Sequence, residues 1–336
     1  MRVHWIDSAR GVAILLVVFY HSAQWAGAAG FLSEVWLQAN DLLATMRLPL
    51  FFALSGMLAV KWMTMPWREL LRSKLAALLW LYLVWQAVTT AVYMVVPNVS
   101  TPGKSNAAEL ITALATPLRP QGALWFIWAL ALFFVLCRGL WAYVPGWVFV
   151  SASAGVSTLA FGGVITLGNV GWDGALENFV FFAAGVTYAP FMRWLAKRLR
   201  IAGALLAVAV WAAFILLVPV WALPGLNLVS RGLGLAAGIG LGVILARASL
   251  AQWAGRNTLY LYLPHYTTLT VLAYVASTLP LPDAAHSWLP LALFAGTLAV
   301  CLGLWALALR SRTVASFFST PDWLSRLIGR KNLAER

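Results

Sequence analysis

The chain has 336 residues, 62% of them hydrophobic and only 10% charged, whereas an ordinary soluble domain carries roughly 25% charged residues. A globular protein free in water is excluded, and an all-α integral membrane protein is expected, a bundle of about ten transmembrane helices surrounded by membrane lipids. The formal charge of +13 would suit nucleic acid if the cations shared one face. They fall instead in short clusters between apolar stretches, as in a chain that uses basic residues to orient itself in a bilayer, so no nucleic-acid partner is expected.

A helix needs about 20 apolar residues to cross the hydrocarbon core. That ruler places spans at 11–29, 42–60, 75–96, 124–142, 147–167, 176–192, 201–222, 230–247, 257–278 and 289–309. The small residues Ala26, Gly27 and Ala28 behind the first apolar run raise the alternative of a cleaved signal peptide. Arg10 and His21 are odd choices for a disposable segment, and the loop charges balance with the span retained, so it is read as part of the bundle.

With Met1 inside, the cytoplasmic loops carry Lys61, Arg68, Arg72 and Lys74, then Arg138, then Arg193, Lys197, Arg198 and Arg200, then Arg247 and Arg256. The C-terminal segment adds Arg310, Arg312, Arg326, Arg330, Lys331 and Arg336. The external loops hold little beyond Lys104 and Arg119, beside Glu34, Asp41, Glu109, Asp173 and Glu177. This asymmetry predicts both termini in the cytoplasm. The longest external segment, 97–123, contains Pro97, Pro102, Gly103, Pro117 and Pro120 and reads as irregular.

Residues 1–310 form the transmembrane domain on this reading, and 311–336 a basic cytoplasmic tail. Trp323, Leu324, Leu327 and Ile328 suggest an amphipathic helix at the inner surface. No internal repeat is visible. Cys137 and Cys301 lie at or inside apolar stretches, which gives neither a disulfide framework nor a thiolate metal site, and no metal is expected.

Chemistry is sought where polarity is expensive, since an ionisable residue within a span usually faces a cavity or a partner. The first span opens on Asp7, Ser8, Ala9, Arg10 and Gly11 and then runs through apolar residues to His21. At 100° per residue, Arg10 and His21 project within about 20° of one another and about 16 Å apart, with Asp7 within about 40° of His21. One stripe thus carries an acid, a guanidinium and an imidazole from the inner surface to mid-membrane. Two readings stand for Arg10: an orientation-setting charge paired with Asp7 at i,i+3, or a cavity group. His21 is either a hydrogen-bonded core histidine or, since desolvation favours the neutral ring, a general base. Arg47 in the second span either snorkels to the outer headgroups or lines an externally open cavity. Pro49, Ser55 and Gly56 read as architecture, a kink and a close helix contact.

Asp7 and Arg10-Gly11, with ten residues between Arg10 and His21, followed by Pro49-Leu50-Phe51-Phe52 and Leu54-Ser55-Gly56, together resemble the membrane-bound acyltransferase 3 family. Further matches are the basic run Arg68 to Lys74, Leu124-Trp125-Phe126, Phe181-Phe182 with Gly185, and Leu259-Tyr260-Leu261-Tyr262-Leu263-Pro264-His265. The resemblance covers nearly the whole chain, and its most specific element is the Arg-His spacing joined to the Phe-Phe/Ser-Gly pattern. One departure is that Arg68 and Arg72 are four apart, where the family often has a tighter Arg-x-x-Arg, so these two are not assigned individually to a nucleotide phosphate. No soluble domain is expected after the bundle, which would leave the acceptor without a dedicated capture module.

The resemblance implies an acyl-CoA-dependent O-acyltransferase of the bacterial inner (cytoplasmic) membrane. Such an enzyme takes an acyl group, acetyl first among the candidates, from cytoplasmic acyl-CoA and places it on a hydroxyl of a sugar, glycolipid or other cell-envelope acceptor. His21 would be the general base, with Arg10 and Asp7 on the same helix face toward the cytoplasm. Arg10, Arg68, Arg72 and Lys74 would form a basic rim for the anionic donor, and Arg47 would hold the acceptor or steady developing negative charge. His265 is either pocket lining or part of a Pro264 kink. Trp125 and Tyr262 are candidates for the pocket wall, with packing the competing role. Glu177 and Asn178 read as a solvated loop edge, with contact to acceptor hydroxyls the alternative, and Asp7 either orients Arg10 or caps the first helix. A rival from another class is a transporter that moves an acylated or anionic solute along the same stripe. A scaffold without chemistry explains the alignment of His21 with Arg10 poorly.

Overall fold

The computed structural model describes residues 3–321, 323 and 324. Its helices run in the order α1 (His4–Ala28), α2 (Glu34–Thr64), α3 (Trp67–Glu69), a π turn (Leu70–Leu75), α4 (Ala76–Val95), α5 (Asn106–Ala115), a 3-10 turn (Gly122–Leu124) and α6 (Trp125–Leu140). The second half continues with α7 (Gly146–Phe161), α8 (Val170–Thr187), α9 (Ala189–Arg198), α10 (Ile201–Leu217), α11 (Pro224–Ile244), α12 (Ser249–Arg256), α13 (Thr258–Thr278), α14 (Ala285–Arg310) and α15 (Arg312–Ser316). No strand occurs among the described residues.

Nine of the ten stretches expected to span fall mainly on one helix each, and 176–192 is shared between α8 and α9. Six helices among the described residues are long and apolar enough to cross a membrane: α1, α2, the run Trp67–Val95, Gly122–Leu140, α11 and α14. α8 and α9 meet at a 76° bend and qualify as a pair, while α7 and α10 are shorter apolar helices. α13 has 21 residues, but its tyrosines, threonines and histidine dilute its apolarity. The protein is an all-helical, multi-pass membrane protein.

α1 is the central pillar, packed against α2, α11, α12, α13 and α14, with Ala9, Ala13, Ile14 and Val18 fully buried. The second pillar is α2, which meets α8 backbone to backbone. A Cβ on Gly56 would lie 2.2 Å from the Phe182 carbonyl oxygen, and one on Gly185 would lie 2.1 Å from that of Ala53. Hydrocarbon gives helices no hydrophobic reason to associate, so such small-residue contacts provide the van der Waals attraction. Pro49 has no N–H to offer the Thr45 carbonyl one turn earlier. α11 closes on that oxygen, where a Cβ on Gly234 would come within 2.2 Å of it.

Two expectations change. The segment 97–123 is not irregular throughout, because α5 forms between its two pairs of prolines, started by the Ser105 hydroxyl accepting from Ala108 N at 3.3 Å. α1 begins at His4, so Asp7 lies inside its first turn and the N-cap position is Val3. The chain after α14 docks on the bundle. Trp80 and Trp85 donate their indole N–H groups to the Ser316 and Phe317 carbonyls at 3.3 and 2.7 Å. Phe318 is buried with its ring 5.4 Å from Trp85 and 4.4 Å from Tyr260. Trp323 packs edge-on against Trp80 at 5.5 Å, whereas Leu327 and Ile328 lie outside the described residues.

Candidate functional site

α1, α2, α6, α8 and α13 enclose a cavity of about 400 Å³. His21 lines it from α1, Arg47 and Phe51 from α2, Trp125 and Phe126 from α6, Asp173, Glu177 and Asn178 from α8, and Tyr262 and Tyr266 from α13. The Gln24 carboxamide oxygen lies 2.9 Å from His21 Nδ1, and Gln24 Nε2 donates to the Tyr20 hydroxyl at 2.7 Å. An amide oxygen only accepts, so this chain places the imidazole proton on Nδ1 and leaves Nε2 with its lone pair. The ring is further held edge-on to Tyr266 at 5.1 Å.

Arg47 is 5% exposed and turns into the cavity instead of toward headgroups. Its Nη1 donates to the Asn40 carbonyl at 3.0 Å and its guanidinium lies 3.9 Å above the Tyr20 ring. Cation–π attraction and a single backbone bond hold it, and no carboxylate comes within 4.0 Å. Tyr20 therefore couples the two functional groups, stacking under Arg47 while anchoring the glutamine that fixes His21.

A second cavity, about 190 Å³, lies toward the end of the bundle where α1 begins. Arg10, Ser55, Lys74 and Thr258 supply its polar lining, among Leu58, Trp62, Leu78, Leu130 and Phe134. Neither cation has a carboxylate within 4.0 Å; the one such ion pair among the described residues is Lys104–Glu109. Phe51, Phe126 and Tyr262 line both cavities and form the wall between them. Phe51 and Phe126 meet at right angles, 4.7 Å apart, with Tyr262 5.7 Å from Phe126. The Tyr262 hydroxyl donates to the Ala123 carbonyl.

A sequence model of the acyltransferase domain matches residues 3–309. The chain belongs to the acyltransferase 3 family. Over 152 residues this family member is 27% identical to "Inner membrane protein YcfT" of Escherichia coli (strain K12), covering 40% of this chain and 43% of that protein. It thus spans less than half the length of that curated relative. No solved structure matches. Membership in the acyltransferase 3 family implies acyl transfer at a membrane.

Not every residue expected at the site reaches one of these cavities. Of the basic run, Lys74 reaches the small cavity, with its ammonium 5.4 Å from the Phe134 ring; Arg68 is exposed, and Arg72 is half-buried and lines neither cavity. Asp7 lines neither and makes no ion pair with Arg10 within 4.0 Å. His265 is fully buried behind His21, with ring centres 5.2 Å apart, Nδ1 bonded to the Tyr262 carbonyl and Nε2 without a partner. Glu177 and Asn178 are not a solvated loop edge. Both line the main cavity, and Asn178 is fully buried, its Nδ2 donating to Gly174 O at 2.9 Å and its Oδ1 unpartnered.

Sequence reasoning missed Tyr20, Gln24 and Tyr266. Gln24 was findable, since i+3 from His21 shares its helix face. It also missed Arg231, buried behind Glu177, which donates to Asn227 Oδ1 at 2.8 Å and to Ala44 O at 3.2 Å, its guanidinium 4.0 Å over the Phe161 ring.

Proposed function

We propose that this chain transfers an acyl group, acetyl first among the candidates, from acyl-CoA on the cytoplasmic face of a bacterial inner membrane to a hydroxyl of a sugar or other cell-envelope acceptor. The reading includes ten spans with both termini cytoplasmic and residues 311–336 as a cytoplasmic tail. The observation that carries it is the division of labour between the cavities: a fixed imidazole beside a buried guanidinium in one, two carboxylate-free cations in the other, and three aromatic side chains between them.

In this mechanism the small cavity takes the thioester end of the donor. Arg10 and Lys74 attract the anionic carrier, and the apolar walls accept the thin pantetheine arm. The acceptor hydroxyl sits in the main cavity. His21 Nε2 takes its proton as the oxygen attacks the thioester carbonyl, and the Nδ1–H bond to Gln24 steadies the imidazolium that forms. Arg47, already desolvated and held in place, stabilises the negative charge on the tetrahedral intermediate. When the C–S bond breaks, the electron pair leaves with sulfur and the imidazolium returns the proton to the thiolate, giving ester and free CoA. Rotation of the Phe51–Phe126–Tyr262 wall admits the acyl group to the His21 side. His265, sealed away from both cavities, buttresses the ring from behind.

The test is turnover in detergent. Purified protein with radiolabelled acetyl-CoA and a hydroxylic acceptor should yield a labelled ester and stoichiometric free CoA. A carrier using the same polar groups would consume no thioester and would move solute only across sealed vesicles.

A further inference from the structure

A phenolic hydroxyl has one hydrogen to give and lone pairs that accept. At Tyr20 the accepting side is taken, because Gln24 Nε2 donates to the oxygen at 2.7 Å, while the hydroxyl makes no second hydrogen bond among the described residues. That direction is not free to reverse. An imidazole with its proton on Nδ1 needs the Gln24 carboxamide oxygen, 2.9 Å away, as its acceptor, and a carboxamide that turns its oxygen to His21 turns its N–H groups to Tyr20. The arrangement that leaves His21 Nε2 with a lone pair therefore also leaves the Tyr20 hydrogen free. Tyr20 lines the main cavity, so the hydrogen is available to whatever occupies that space.

Other donors in the chamber are committed elsewhere. The Tyr262 hydroxyl donates to the Ala123 carbonyl, and Asn178 Nδ2 donates to Gly174 O at 2.9 Å. Tyr266 also lines the cavity, edge-on to His21 at 5.1 Å, but the Arg47 guanidinium lies over Tyr20, 3.9 Å from its ring centre. Tyr20 and Arg47 thus present an O–H and a guanidinium side by side, next to His21 in the chain. An oxygen that turns negative beside the imidazole meets both donors. Hydrogen bonds in a chain polarise one another. As His21 gains a proton, its Nδ1–H binds Gln24 more strongly, Gln24 binds the Tyr20 oxygen more strongly, and the Tyr20 O–H becomes a better donor while the negative charge is forming.

We infer that the Tyr20 hydroxyl is a catalytic hydrogen-bond donor, which together with Arg47 holds the carbonyl oxygen of the acyl group as that oxygen takes the electron pair of the C=O bond on attack. No proton leaves Tyr20; its hydrogen bond strengthens with the negative charge and relaxes when the C–S bond breaks and the carbonyl re-forms. The assignment rests on the acyl-transfer reading for the identity of the anion, but binding of a tetrahedral anion tests it separately.

Full-length wild type, Tyr20→Phe, Gln24→Leu and the double variant are purified in detergent. Phenylalanine keeps a ring under Arg47 and removes only the hydroxyl. Labelled acetyl-CoA with a hydroxylic acceptor gives kcat and the acceptor KM, and calorimetry gives the affinity for methylphosphonate, a tetrahedral anion with no thioester. Tyr20→Phe should lower kcat by about 10- to 100-fold, less than the loss of an oxyanion donor usually costs because Arg47 remains, and should change the acceptor KM by less than about twofold. In the Gln24→Leu background the loss should still be at least about fivefold, whereas a Tyr20 that served only to peg Gln24 would cost nothing there. Methylphosphonate should bind wild type, and each protein lacking the hydroxyl should bind it at least about fivefold more weakly than its parent. The assignment is overturned if ester forms and the hydroxyl is silent in the Gln24→Leu background, if methylphosphonate does not bind wild type, or if its binding ignores the hydroxyl. Hydroxyl-dependent phosphonate binding with no ester formed from any acceptor sinks the acyl-transfer reading and leaves Tyr20 as an anion donor. Ester formed at a rate indifferent to the hydroxyl does the reverse.

Discussion

The two cavities on either side of Phe51, Phe126 and Tyr262 are built on opposite plans. On the His21 side every functional group is fixed: Gln24 holds the imidazole, Tyr20 holds Gln24 and supports Arg47, and Asn40 takes the guanidinium. On the Arg10 side two cations stand among apolar residues with no carboxylate within 4.0 Å. The contrast teaches where geometry matters. Bond-making needs groups preorganised before the reactants arrive, whereas capture of a flexible anionic carrier needs charge and a passage, and long mobile side chains serve both.

Substitutions on the two sides should therefore fail differently, and the largest effect belongs to the base. His21→Ala should lower kcat by about 10²- to 10⁴-fold while the protein elutes as a folded monodisperse species; full activity in that variant removes the mechanism. Arg47→Met should cut kcat/KM for the acceptor by on the order of 10- to 100-fold, the value of a charged hydrogen bond, and leave the KM for acyl-CoA in place. Gln24→Leu should lower kcat by roughly tenfold through loss of one such bond. An effect of Gln24→Leu confined to acyl-CoA affinity would erase the proposed distinction between the sides. Arg10→Gln and Lys74→Gln should each raise the KM for acyl-CoA severalfold with acceptor kinetics unchanged, an effect that shrinks at high salt. Arg68→Gln, exposed and away from both cavities, should change either constant by less than about twofold, as surface substitutions usually do.

What the sequence disclosed followed from cost. His21 and Arg47 were legible because hydrocarbon penalises them enough to demand a reason, and Gly56 because only small residues let backbones touch. The Arg68–Lys74 run was only partly legible, since counting charges does not say where they point. The π turn at Leu70–Leu75 has an i→i+5 register, which defeats a 100° helical wheel and leaves Lys74, not Arg68 or Arg72, at the cavity. Glu177 and Asn178 were misjudged because the sixth span was started at 176, while α8 begins at Val170. Its start was written in the chain: Asn169 Oδ1 accepts from Gly171 N and Trp172 N at 3.1 and 3.2 Å, and Asp173 accepts from Leu167 N and Asn169 N at 2.6 and 3.0 Å. An Asn followed by an acid before an apolar run is a helix-start signal. Of the aromatic wall only Tyr262 was legible, as a pocket-wall candidate, because Phe51, Phe126 and Tyr262 come from three distant segments and look like any packed ring.

The glycine contacts that lock α2 to α8 constrain how that wall moves. Phe51 sits between Pro49 and Gly56 on a helix whose main chain already touches its neighbour, so a sliding or tilting pillar would break the Gly56 and Gly185 contacts together. In the proposed mechanism, passage across the partition is then a matter of ring flips and rotamer hops on a stationary frame. A molecule gated this way leaks little and needs no large rearrangement between cycles.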